Sequence, residues 1–144
     1  MMRLTASETI LYFFCGCMKL NGKVVSGLGE GNKFFSLEQY EKGFERLLRT
    51  KPFFGTLNVD VGAENILICD KIKKRADLVV EGFEQNGRRY FEVKCVRAKL
   101  SSVEGLLIFP RLNHHPPNIL EFVCAKNLRD SFGFEDEQRV ELKL

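Results

Sequence analysis

The sequence has little excess charge, no paired cysteines, no long apolar run and no phosphate-loop signature, and each absence removes a class of protein. Lys and Arg total 22 against 19 Asp and Glu, a formal net charge of +3. That excess is too small to mark a nucleic-acid binder, although it is compatible with a phosphorylated small molecule. The five cysteines, Cys15, Cys17, Cys69, Cys95 and Cys124, are odd in number and contain no Cys-x-x-Cys pair. A structural zinc site is therefore not indicated, and free thiols in a reducing compartment are expected. The longest apolar stretch, Ile10 to Met18 with a glycine inside it, falls far short of the ~20 residues that span a bilayer. The residues before it lack a strongly basic region, and no small-residue cleavage site follows, so a secretory signal is not expected. The chain reads as soluble and cytoplasmic. No G-x-x-x-x-G-K-[ST] occurs, which removes the P-loop enzymes. Internal repeats, low-complexity tracts and linkers are also lacking.

What remains is an ordinary globular composition. The chain has 144 residues, 44% apolar and 28% charged, which fits a single domain and excludes a disordered chain, a collagen and a coiled coil. A domain of this length buries roughly 68–70% of its unfolded surface, so it needs no disulfide or metal to hold a core. Residues 1–17 stand apart as an N-terminal extension, read either as an extra helix or as sequence upstream of a functional start at Met18. Residues 18–144 form the expected single domain.

Lys19 to Val25 reads as a strand leading into Gly27-Leu28-Gly29-Glu30-Gly31-Asn32, a loop whose alternating glycines fit neither a helix nor a strand interior. A helix follows, with Ser36 and Gln39 as a capping box. Its apolar face is Leu37, Tyr40, Phe44, Leu47 and Leu48, and Pro52 ends the segment. Gly55 reads as a turn, and Leu57, Val59 and Val61 alternate as a strand with Thr56, Asn58 and Asp60 on its other face. Residues 62–76 are less regular and end in Lys71, Lys73, Lys74 and Arg75, read as a solvated loop. Residues 78–84 and 89–99 form a hairpin about Asn86-Gly87. Further strands are expected over 103–109, 119–124 and 138–144, with helical turns over 127–132 closed by Gly133. Many short strands and few helices predict a mainly β fold, a compact β-barrel with a helix attached.

Three segments carry candidate chemistry. Gly27 to Asn32 is either a simple turn or a loop whose backbone N–H groups converge on an anion, though Asn32 stands where a third spaced glycine would be. Thr56 and Asn58 share a strand face. They are either a plain polar face or two hard oxygen donors suited to Mg²⁺. The segment from Pro110 to Arg129 holds Arg111, Asn113, His114, His115, Glu121, Lys126 and Arg129. The two histidines read as surface loop residues. Glu121, between Leu120 and Phe122, is either solvated or a carboxylate lining a pocket. Lys126 and Arg129 share a face if that stretch is helical, and are either solvated or placed to meet phosphate.

Taken in order, Gly-Lys-Val-Val-Ser-Gly-Leu-Gly-Glu-Gly (22–31), Gly-Thr-Leu-Asn (55–58), the strand-Pro-loop-strand from Pro110 to Glu121, Lys-Asn-Leu-Arg (126–129) and the closing stretch 132–142 resemble the archaeal CTP-dependent riboflavin kinases. The resemblance covers residues 18–144. It implies a small closed cradle-loop β-barrel with one main helix after the glycine-rich loop. It also implies phosphorylation of the terminal ribityl hydroxyl of riboflavin by CTP, giving FMN and CDP. By resemblance, Gly27, Leu28, Gly29, Glu30, Gly31 and Asn32, with Lys126, Asn127, Leu128 and Arg129, would bind the nucleotide. Thr56 and Asn58 would hold Mg²⁺. Asn113 and Glu121 would contact the flavin, Asn113 standing where the family is expected to carry threonine. Glu121 is also the candidate general base. Riboflavin/FMN and CTP/CDP are the partners implied, with neither nucleic acid nor membrane, for a monomeric enzyme. The competing expectation is a non-catalytic nucleic-acid-binding barrel of the transcription-regulator kind, carried by Lys71 to Arg75 and Arg88-Arg89. A third is a flavin or nucleotide carrier without catalysis.

Overall fold

The computed structural model describes residues 18–25, 37–53, 56–111, 115–125 and 133–144. Among them are nine strands: β1 (Lys19–Val25), β2 (Leu57–Asp60), β3 (Leu78–Val80), β4 (Phe83–Gln85), β5 (Arg88–Tyr90), β6 (Val93–Leu100), β7 (Val103–Pro110), β8 (Ile119–Val123) and β9 (Arg139–Lys143). Two helices accompany them, α1 (Glu38–Leu48) and α2 (Ile66–Lys74), the second entered through a 3₁₀ turn at Ala63–Asn65. The main sheet runs β3-β6-β7-β8-β2-β1-β9, every neighbour antiparallel. A further pairing, Lys99 with Lys143 and Leu100 with Leu142, joins β6 to β9. That contact closes β6, β7, β8, β2, β1 and β9 into a six-stranded antiparallel barrel and leaves β3 outside it. The mainly β barrel expected from the strand pattern is what forms.

Closure follows from alternation. Successive side chains of a strand point to opposite faces, so Leu20 and Val24, Leu57 and Val59, Ala98 and Leu100, Leu107 and Phe109, Leu120 and Phe122, and Val140 and Leu142 all fill the barrel interior. Ile68, Cys69 and Ile72 of α2 join the same cluster. At Gly22 the inner face of β1 approaches β2 so closely that a Cβ would lie 2.7 Å from a Val59 methyl and 2.8 Å from the Asp60 carbonyl oxygen. The outer face of β6, β7 and β8 carries a second apolar cluster, where Cys95, Leu106, Ile108 and Val123 meet Tyr40 and Phe44 of α1. Tyr40 also donates its hydroxyl to the Phe91 carbonyl at 2.6 Å.

Local details depart from expectation in four places. The helix starts at Glu38 with Leu37 at the N-cap and no side-chain cap from that residue; Ser36, the expected cap, lies outside the described residues. The chain leaves α1 through Arg49, which takes a left-handed φ of 62°, before Pro52 is reached. Residues 66–74 are helical rather than a loop, and Lys71, Lys73 and Lys74 occupy the last turn. Cations there complement the negative end of the helix dipole. The expected hairpin forms with Asn86 at φ 53° and Gly87 at φ 74°, both positive as a type I′ turn requires. It is interrupted, however, so that β4–β5 stand as a separate two-stranded sheet while β3–β6 continue in the main one. Gly82 marks the break, where a Cβ would sit 2.9 Å from the Glu92 amide nitrogen.

Candidate active site

As whole residues, two polar or charged positions are buried among the described residues, Asn58 and Glu121, each 6% exposed. They belong together. In the β2–β8 register Asn58 lies directly opposite Glu121, and residues opposed in this way on one face stand about 4.5–5.5 Å apart at Cβ. The same line crosses the whole outer face: Leu78, Cys95, Ile108, Glu121, Asn58 and Val25 are successive register partners. An apolar row therefore ends in a carboxylate and an amide. Val25 closes it, and the glycine-rich segment begins two residues later.

The amide is unusual. Asn58 Oδ1 is buried and has no hydrogen-bond partner among the described residues. An unsatisfied buried acceptor costs roughly 1–3 kcal/mol, so such an atom calls for an explanation. A cation is one: amide and hydroxyl oxygens suit Mg²⁺, which takes a few protein ligands and keeps the rest for water and phosphate. Thr56, half-buried, lies two residues before Asn58 on the same face. Among the described residues no group of three or more His, Cys, Asp or Glu gathers as a metal cage. The donor set present is the kind that would share a metal with a substrate's phosphates.

Glu121 is held from the loop before β8. His115 Nε2 donates to Glu121 Oε1 at 3.1 Å, with the two side chains 9% and 7% exposed. His115 is thus a buried partner of the carboxylate, correcting the expectation of a surface histidine. Below this pair the turn into β8 is bolted to β2. Asn118 donates its side-chain amide to Asp60 Oδ1 at 2.7 Å and the Gly62 amide donates to the same oxygen at 2.9 Å. These two bonds, Asn118 first, pull the Asp60 carboxyl below its ordinary value. Val61 N–H donates to the Asn118 carbonyl at 3.0 Å, and Ile119 N–H to that of Pro116 at 3.0 Å.

Of the residues expected to act, Thr56, Asn58 and Glu121 are described, and the fold brings Asn58 and Glu121 side by side. Gly27, Leu28, Gly29, Glu30, Gly31, Asn32, Asn113, Lys126, Asn127, Leu128 and Arg129 lie outside the described residues, as does the expected helical stretch 127–132. In the chain, three described residues neighbour these segments. Val25 precedes the glycine segment, His115 follows Asn113, and Ala125, just past β8, precedes Lys126. Sequence reasoning missed His115. Its signal was available, since it immediately precedes a proline, which restricts it to extended backbone, and lies in the turn that leads into the strand bearing a carboxylate.

Comparison with known proteins decides the family. The CTP-dependent riboflavin kinase family model, described as a domain of unknown function, DUF120, matches residues 24–144. The chain belongs to the CTP-dependent riboflavin kinase family. It is 33% identical to a riboflavin kinase of Pyrobaculum islandicum over 98% of this chain and 67% of that protein. It is 38% identical to one of Pyrobaculum calidifontis over 92% of this chain and 63% of the relative. A riboflavin kinase of Archaeoglobus fulgidus is 34% identical over 90% of this chain and 55% of its own length. The chain therefore spans about half to two thirds of these relatives. No described helix is long and apolar enough to cross a membrane.

Proposed function

We propose that this chain transfers the terminal phosphoryl group of CTP to the terminal ribityl hydroxyl of riboflavin, giving FMN and CDP. The observation that carries the reading is the buried Asn58–Glu121 pair in a chain of this family. Phosphoryl transfer needs positioning and neutralisation of charge more than covalent chemistry. Glu121 would accept the proton: as the ribityl oxygen bonds to phosphorus, its proton passes to the carboxylate, and the bond to the bridging oxygen breaks to release CDP. Burial favours this role, because a carboxylate shielded from water meets the hydroxyl without competing solvent. Thr56 and Asn58 would hold Mg²⁺, which when bound neutralises charge on the phosphates. Gly27 to Asn32 would present backbone N–H groups to the phosphates from the end of β1, with Lys126 to Arg129 beyond β8 adding positive charge. Asn113 and Glu121 would face the flavin. The family name supplies the choice of CTP.

The test is direct. Incubation with riboflavin, Mg²⁺ and either CTP or ATP, followed by separation of the flavins, should give FMN and CDP with CTP. No FMN with any nucleoside triphosphate removes the proposal.

A further inference from the structure

We propose that His115 is a positioning residue for this reaction, fixing the orientation of the Glu121 carboxylate. The inference rests on the riboflavin kinase reading above and extends it to a residue with no assigned part. Its basis is geometric. His115 Nε2 lies 3.1 Å from Glu121 Oε1, and both side chains are more than nine-tenths buried. A buried carboxylate needs donors against its desolvation cost, and an imidazole N–H at this distance favours one orientation of the ion.

The imidazole is itself held in place. His115 precedes Pro116, which confines its backbone to the extended region. Pro116 accepts from Ile119 N–H at 3.0 Å, and the following Asn118 is tied to β2 through Val61 N–H and Asp60 at 3.0 and 2.7 Å. The turn that carries His115 is thus fastened to the strand that carries Asn58, and Glu121 leaves the same turn on β8. The carboxylate, its donor and the facing amide are three points of one rigid corner. A carboxylate that takes a proton in the transition state depends on such fixing, because a misplacement of about 1 Å costs on the order of 100-fold in rate.

The experiment measures FMN formation by wild type, His115→Phe, His115→Gln, His115→Asn, Glu121→Gln and the double variant His115→Phe/Glu121→Gln. His115→Phe should lower kcat by roughly 10- to 100-fold, with the KM for CTP nearly unchanged. Gln, whose amide nitrogen reaches as far as Nε2, should restore most of kcat, whereas the shorter Asn should not. The double variant should be no slower than Glu121→Gln alone, since a residue acting through Glu121 has nothing left to act on. If His115→Phe fails to fold, the Gln and Asn variants decide. An unchanged kcat, a matching rise in the KM for CTP, equal effects of Gln and Asn, or a multiplicative loss in the double variant would overturn the role while leaving the kinase reading intact. An inactive wild type would instead overturn that reading and this role together.

Discussion

Asn58 sits where an apolar side chain would be the more stable choice. Its Oδ1 is buried and unsatisfied, and filling the site with a leucine of similar volume removes a desolvation cost of roughly 1–3 kcal/mol. Asn58→Leu is therefore expected to unfold at the same or a higher temperature in Mg²⁺-free buffer, while losing phosphoryl transfer. Thermal denaturation and the flavin assay on one preparation check both halves. A destabilised variant that keeps its turnover would make Asn58 a structural residue and remove the metal assignment. Opposed changes of this kind mark a site where function is kept against stability. The pattern of residues 56–60 made the polar face legible in the sequence, but an alternating polar face is normally wet. That Asn58 on this face is buried depends on what surrounds it.

At the scale of elements, α1 is fixed by one stripe. Tyr40 and Phe44 are 4% and 0% exposed and pack on Val80, Val93, Cys95, Leu106, Ile108 and Val123. The stripe was readable from spacing alone, although the start of the helix was not: Leu37, rather than a polar cap, holds the N-cap position. Truncating a fully buried phenylalanine costs about 3–5 kcal/mol through lost transfer energy and a cavity. Phe44→Ala should show a loss of that size in urea unfolding, with fluorescence and circular dichroism reporting one transition. A change below about 1 kcal/mol would mean that α1 is not part of the cooperative fold. For α2 the sequence was misread because its apolar residues crowd the first turn instead of spacing along one face. Ile66, Leu67, Ile68, Cys69 and Ile72 are apolar, yet only Ile68, Cys69 and Ile72 are buried, a weak periodic signal set beside a cluster of cations.

For the whole molecule, the question is whether the barrel interior and the outer cluster unfold together. Cys69 belongs to the first and Cys95 to the second, and both are buried. Burial pushes their thiols up, Cys69 to about 11 and Cys95 to about 12. At pH 8 almost no thiolate is present at either, since the thiolate fraction grows only as pH approaches the pKa, and the thiolate is the reactive form. Both should resist alkylation in the folded protein, then become reactive at the same urea concentration when followed by site-resolved mass spectrometry. Cys95 reacting well before Cys69 would show the helix-covered face opening independently of the barrel.

The sequence by itself determined the local geometry: period-two alternation along the barrel strands, the left-handed turn at Asn86-Gly87, the apolar stripe of α1, and the family through its ordered motifs. Those features depend on residues a few positions apart and on steric preferences that act wherever the chain goes. Only the tertiary structure decided that Asn58 faces Glu121, that both are dry, and that His115 turns inward to hold the carboxylate. These facts arise from which distant strands become neighbours when β6 meets β9 and the sheet closes. Solvent exposure of a polar side chain is set by that neighbourhood, not by the residue's own place in an alternating pattern.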